Sequence, residues 1–436
     1  MLSFMFFARS SERTSVSCWV SSDRVASLLT ESALRGLPPA GRFALAAALC
    51  SSFGQTFFIG LFGADFRSEF GLAESSLGAL YGLATLSSGL LMFWLGSLAD
   101  HWPMRRAIAA SMLGLAIGAM LLSLSPHVAV LLLGLFLIRL AGQGLSGHLA
   151  VVAAARYATR RRGRAVAMAT YGFILGEASF PLLVAWTLGW TDWRGVWMLA
   201  SLTILLLALP GLYALARPLS GDDVSQPDGD GHARPIPMRR ARLFRHSGFL
   251  RVLAVVLVPP VVVTALFLHQ GTLAEMLGWG LREVASGFVL FAGIQGLFAF
   301  AGGRLIDRFS ARVLLRFSLL PAGLGLLSLS LVDPGLSLWL LFAGLGMTAG
   351  LNGVISGAVW VELFGTAQLG MIRGVYAALM VASTAIGPVV LGLLFDWQVS
   401  LFSMALIYLA YATILPTWLV PGIAGFEDKR GSHQAE

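Results

Sequence analysis

Two ionisable residues stand where ionisable residues are expensive. Arg139 and Glu177 each fall inside a long apolar run of this 436-residue chain. On insertion scales a charge at mid-membrane depth costs about 2.5 to 3.5 kcal/mol, so such residues pair, bind a solute or carry a proton. At a helical rise of ~1.5 Å per residue, Arg139 lies ~24 Å along its run and Glu177 ~20 Å along the next, measured from their shared loop. Similar depth leaves two readings open. In one, Glu177 accepts a proton whose uptake is coupled to a substrate or to release of Arg139; in the other, the two form a permanent ion pair. Other polar groups in apolar runs are Gln55, Gln143, His148, His269, Gln270, Gln295 and Asn352. Gln55, Gln295 and Asn352 are expected to face a central cavity or another helix. His148 reads as a packing residue, and His269 with Gln270 as lining an outer vestibule or meeting the lipid interface.

Other chemistries are excluded by residue type. The single lysine, Lys429, rules out a phosphate-binding loop ending in Gly-Lys-Ser/Thr, and with it ATP-driven pumping by this chain. Cys18 and Cys50 make neither a disulfide scaffold nor a metal-ligand spacing. No nucleophile triad, histidine pair or metal cluster occurs within the apolar runs, so neither an enzyme, a cofactor nor a metal site is expected. Gly142-Gln143-Gly144-Leu145-Ser146-Gly147 matches a dinucleotide fingerprint in letters, yet no strand precedes it, so close helix packing is the reading.

The elements that must hold these residues follow from composition. Apolar residues make up 57% of the chain and charged ones 12%, about half the charged share of a soluble protein. A spanning helix needs about 20 apolar residues. Twelve such stretches occur, near 43–64, 76–98, 104–124, 127–154, 164–187, 193–216, 249–273, 283–305, 312–331, 335–361, 371–394 and 398–420. The predicted fold is therefore all-α and membrane-spanning. Its expected parts are a cytoplasmic, disordered or weakly amphipathic extension (1–42), a six-helix bundle (43–216), a cytoplasmic linker (217–248), a second six-helix bundle (249–420) and a cytoplasmic tail (421–436). Residues 1–42 lack the pattern of a cleaved signal peptide.

Basic residues set the orientation, because short loops rich in Lys and Arg stay in the cytoplasm. Only Arg67, Arg194 and Arg282 fall in one set of loops and Arg139 inside a span; the remainder of the 30 lie in the other set, with both termini. The net charge of +8 is thus a topological signal, and nucleic acid is not an expected partner.

The two bundles repeat each other in one register. Gly89, Gly96, Leu98, Asp100, Arg105, Gly163 and Pro181 recur as Gly296, Gly303, Leu305, Asp307, Arg312, Gly370 and Pro388. Six spans, an even number, separate the copies, so the halves share one orientation, are related by an axis along the membrane normal, and place a substrate site at the midplane between them.

Gly96-Ser97-Leu98-Ala99-Asp100 with Arg105 and Arg106 resembles the G-x-L-A-D-R-x-G-R-K loop motif of the major facilitator superfamily. Gly303-Arg304-Leu305-Ile306-Asp307-Arg308 with Arg312 is similar to its second-half echo, and Arg139 to Gly144 to its fourth-helix motif. The likeness spans about residues 43 to 420, although His101, Pro103 and Met104 depart from the loop motif. It implies two pseudo-symmetric bundles, a cavity lined by the first, fourth, seventh and tenth spans, and a cytoplasmic gate. In that gate Asp100 would meet the start of the eleventh span near Gly370 and Arg373, and Asp307 would meet Gly163 and Arg164. Gly172-x-x-x-Gly176-Glu177 resembles in part a drug-antiporter motif, with Glu177 in the proline's place. Gly387-Pro388 with Gly392 and Asp396 is similar to the monocarboxylate and organic-anion carriers.

The function implied is secondary transport of a small solute by alternating access. An organic anion carried in symport with a proton is favoured, since Arg139 would neutralise a carboxylate. A proton-driven exporter of hydrophobic compounds is the alternative, which a cavity dense in aromatics would favour; a transport-inactive sensor on the same scaffold is another. The lipid bilayer, a small-molecule substrate and protons are the expected partners, a monomer is expected to suffice, and a bacterial inner membrane is the expected location.

Overall fold

Long apolar runs with no water to satisfy their backbone must close their hydrogen bonds internally, and here they do so as helices. The computed structural model describes residues 38–96, 101–158, 162–219, 243–365 and 369–419, and among these every regular element is helical. Twelve helices are long and apolar enough to cross a membrane: α1 (Pro39–Phe70), α2 (Glu74–Leu95), α3 (Met104–Ser123), α4 (Val128–Arg156), α5 (Gly163–Thr187), α6 (Trp193–Leu215), α7 (Ser247–Leu268), α8 (Leu281–Phe309), α9 (Ala311–Leu331), α10 (Pro334–Phe364), α11 (Met371–Asp396) and α12 (Leu401–Leu419). Most of the expected N-terminal extension and linker, the tail and Asp100 lie outside the described residues.

Several helices are not regular. Within α1 the helix ends at Ser51, and Gln55 takes an extended backbone at φ −85° and ψ 153° before helix resumes at Thr56. In α4, Arg139–Ser146 is wound as a wider π-type turn, a device that re-aims side chains. The helix of α7 is interrupted at Leu257, just before Pro259 and Pro260, and again at His269, after which Gln270–Leu277 extends it. In contrast α10 runs unbroken, started by Asp333, whose carboxylate accepts the Leu336 amide at 3.0 Å.

Within the first half, α3 packs on α4 and α6, and α1 on α4 and α5; within the second, α8 and α9 pack on α10, α9 on α12 and α7 on α11. The halves meet along α2 with α11, α5 with α8, and the ends of α1 and α7. Close approach of α2 to α11 depends on Gly78, where a β-carbon would stand 2.4 Å from the Pro388 carbonyl oxygen.

The described hydrogen bonds and ion pairs that join the halves gather toward one end of the bundle, the end whose loops carry few arginines. Asp396, closing α11, accepts the backbone amides of Glu74 and Ser75 at 3.1 Å each, so a carboxylate caps the start of α2 across the interface. Arg67 of α1 pairs with Glu74 at 3.0 Å and with Glu275 beyond α7 at 3.4 Å.

Gly78→Ala is expected to wedge α2 from α11 without unfolding either half. A cysteine at the half-buried Val389 should then react faster with a membrane-impermeant maleimide than it does beside Gly78; equal rates would show that this contact does not hold the end shut.

Candidate functional site

Between the halves lies a cavity of about 560 Å³. The broken stretch of α1 supplies Ser52, Gln55 and Phe57; α5 supplies Thr170, Phe173 and Glu177; α8 supplies Gln295; α10 supplies Gly350 and Gly353. At Gln55 the helical bonding pattern shifts: its amide donates to the Ser52 carbonyl, its carbonyl accepts Phe58 and Ile59, and the Gly54 carbonyl is left to the Arg139 side chain. The Gln55 side chain thereby joins the cavity lining.

Glu177 is the one ionisable side chain among the residues lining this space. Its Oε2 has no hydrogen-bond partner among the described residues, and neither does Gln295 Oε1 or Ser52 Oγ. A polar solute is thus offered a carboxyl, two hydroxyls and two amides, one amide from each half. Phe57 and Phe173 are the only aromatic rings in the lining, so the aromatic-dense cavity expected of an exporter of hydrophobic compounds is absent among these residues.

Arg139 is elsewhere. It is 2% exposed, donates from Nε to Thr85 Oγ1 at 3.2 Å and from its terminal nitrogen to the Gly54 carbonyl at 3.2 Å, and lies 4.9 Å from the centre of the Tyr81 ring. The expected Arg139–Glu177 pair does not form. Equal depth along two helices did not imply that the side chains point toward each other, and the π-type turn directs Arg139 at the break in α1. Its role there is to satisfy a carbonyl that α1 cannot satisfy itself and to lie against an aromatic face that attracts a desolvated cation.

His269 differs from expectation: it is buried between the halves rather than lining a vestibule or meeting lipid. Gln270 is buried too, yet it borders a cavity of about 560 Å³ at that end, beside Asp65 and Glu275. The His269 ring contacts Glu74 and the Pro388 carbonyl, and Gln270 donates to the Phe57 carbonyl at 3.0 Å. Of the rest, Gln143 keeps a buried Oε1 and Asn352 a buried Oδ1 without a partner among the described residues, and His148 donates to the Gly96 carbonyl at 3.1 Å. Gly142 packs directly on the Gly54 backbone.

At the arginine-rich end the motif residues are dispersed. Arg105 lies 4.1 Å over the Tyr213 ring, and Arg308 5.1 Å over that of Phe309, while Arg106, Asp307 and Arg373 are exposed. Gly303, at the loop end of α8, meets no neighbour where a β-carbon would stand. The Arg312 guanidinium pairs with Glu362 at 3.4 Å, and that carboxylate also accepts the Ala311 amide, so it caps α9 from the end of α10. The expected bond from Asp307 to Gly163 or Arg164 is not found among the described residues, and Asp307 is exposed. The residues missed from sequence are Ser52, Thr170, Glu74 and Thr272, whose significance comes from neighbours on other helices.

The sequence profile of the Major Facilitator Superfamily matches residues 44–280 and 262–434. The chain belongs to the major facilitator superfamily. It is 28% identical over 225 residues to monocarboxylate transporter 13 of Bos taurus, a stretch covering 50% of this chain and 51% of that relative, so it matches about half the relative's length. Its fold is similar to that of the nucleoside transporter NupG, with a TM-score of 0.68 at 12% identity, covering 88% of this chain and 98% of the other. It is also similar to an inward-facing bacterial homologue of the human lysosomal transporter Spinster, with a TM-score of 0.59 at 15% identity, covering 89% and 94%. As a member of this superfamily the protein is a transporter of small solutes and not an enzyme.

Arg139→Ala is expected to lower thermal stability in detergent, because it leaves the Gly54 carbonyl and Thr85 hydroxyl unsatisfied at about 1–3 kcal/mol each. A variant that melts with the native protein yet no longer binds solute would instead return Arg139 to the binding site.

Proposed function

We propose that the protein carries a small polar organic solute, uncharged or a carboxylic acid, together with a proton held at Glu177. The observation that carries this reading is the lone, incompletely bonded carboxyl of Glu177 in a cavity shared by both halves. A carboxylate with no cation beside it is costly in a low-dielectric cavity, and a proton removes that cost. Once protonated, Glu177 can donate to an acceptor on the solute. An anionic solute would be repelled by the ionised form, so an organic acid binds only with the proton, and uptake of the two is linked.

The carboxylic-acid branch is favoured by the name of the curated relative, monocarboxylate transporter 13. The anion is then met by the Glu177 proton and the Gln55 and Gln295 amides, not by Arg139. In the membrane the arginine-rich end faces the cytoplasm, together with both termini, in keeping with the retention of basic loops on that side. The cluster of Arg67, Glu74 and Asp396 then closes the external end.

In proteoliposomes, Glu177→Gln is expected to keep solute counterflow and to lose accumulation driven by a pH gradient, since exchange needs no net proton movement. Accumulation at the native level in that variant would place the proton elsewhere. A panel of monocarboxylates and uncharged polyols, each tested as a counterflow partner, separates the two branches of substrate.

The orientation has its own check. Single cysteines in the 217–248 linker should resist an impermeant maleimide applied to intact cells; labelling from outside would invert the assignment.

A further inference from the structure

The His269 ring is fixed between two acceptors. Its Nε2 lies 2.9 Å from the Pro388 carbonyl oxygen of α11, its Nδ1 lies 2.8 Å from Glu74 Oε2 of α2, and the residue is 1% exposed. A carbonyl oxygen only accepts, so Nε2 carries a hydrogen. The other oxygen of Glu74 receives Thr272 Oγ1 at 2.6 Å and Arg67 at 3.0 Å. With donors on that oxygen and a cation beside it, Glu74 is a carboxylate, and Nδ1 must donate as well. Both ring nitrogens then carry hydrogens, and the ring is an imidazolium. Were the proton on the carboxyl instead, the count would be unchanged: the pair holds one proton more than a neutral imidazole and a carboxylate.

The partners belong to different halves. His269 follows α7 in the second, and Glu74 starts α2 in the first. Opening this end removes Glu74 from the ring. It also parts Asp396 from the α2 amides and Arg67 from Glu275. The charged groups facing the ring are Glu74 on α2 and Asp396 on α11, with Arg67 of α1 paired to Glu74 and Glu275 beyond α7 paired to Arg67. In the closed arrangement Arg67 already neutralises part of Glu74, and Asp396 spends both oxygens on the α2 amides. Thus it is Glu74 that faces the imidazolium directly.

We propose that His269 and Glu74 form a proton-binding site that is complete only when the external end is closed, so that protons from outside latch that end shut. The side named here rests on the orientation given under Proposed function. This proton is not the cargo: neither residue lines the cavity of Glu177, and the proton returns to the external solution when the end reopens. Imidazole suits the task because its ordinary titration spans physiological pH. Closure that takes up one proton shifts the closed-to-open ratio by about tenfold per pH unit, as long as the open-state ring is neutral.

The test uses the full chain in lipid nanodiscs with Cys18 and Cys50 replaced by serine. Spin labels on His127→Cys and Val332→Cys, in loops of the two halves at this end, report its opening as a distance. In this otherwise unsubstituted background the long-distance population is expected to rise with pH, by up to about tenfold per unit. His269→Gln should make it independent of pH, and Glu74→Gln should do the same if the first variant does not fold. Glu177→Gln should keep the response, which separates this latch from the cavity proton. A background that is flat from pH 5 to 9, a His269→Gln that still follows pH, or a response abolished by Glu177→Gln would each overturn the proposal.

Discussion

A backbone carbonyl that leaves helical geometry inside a membrane has to find a donor within the protein. The Gly54 carbonyl is in that position, because Gln55 is extended and α1 cannot bond it in the usual way. Arg139 supplies the donor, and its other contacts, Thr85 and Tyr81, hold it there. The cavity depends on this interaction. Without it α1 would gain by straightening, and Ser52 and Gln55 would turn into helix packing. Gln270 bonds the Phe57 carbonyl one turn further on, so side chains from both halves support the same irregular stretch.

The two halves treat equivalent positions differently. Where the first half has Arg139, the second has Gly346, and a β-carbon there would come within 2.6 Å of the Phe291 carbonyl. A long cation bracing a broken helix is thus matched by the smallest residue, which lets α8 press on an unbroken α10. The same register places Thr384 opposite Glu177. The ionisable group of the cavity lining consequently belongs to one half, while the amide of Gln295 comes from the other.

Charge is distributed by depth. The cavity holds a single carboxyl among amides and hydroxyls, whereas Arg67, Glu74, His269, Glu275 and Asp396 cluster where the halves close. Ion pairs at an end that opens to water are made and broken with little net change, because water replaces each partner. Deeper in the protein the same exchange would strand charges. A closure built of several modest contacts can therefore open in each cycle, and the one at His269 is the latch proposed above.

Composition and period alone settled that the chain is a membrane protein of twelve helices in two like halves, since a 30 Å apolar layer accepts few other solutions. The loop motifs carried the family, and Gln55, Glu177 and Gln295 were legible as polar groups too costly to leave facing lipid. Depth along a helix could be counted, so Arg139 and Glu177 looked like partners. Which way a side chain points could not be counted, because a π-type turn and an extended Gln55 shift the helical phase at the very residues concerned. His269 and Glu74 lie almost two hundred residues apart; from sequence His269 reads as a vestibule or lipid-interface residue, and Glu74 carries no signal of its own. Only the packing of α2 on α11, which brings the start of α2 to the segment after α7, made them one site, as a hydrogen bond between halves has no period in sequence.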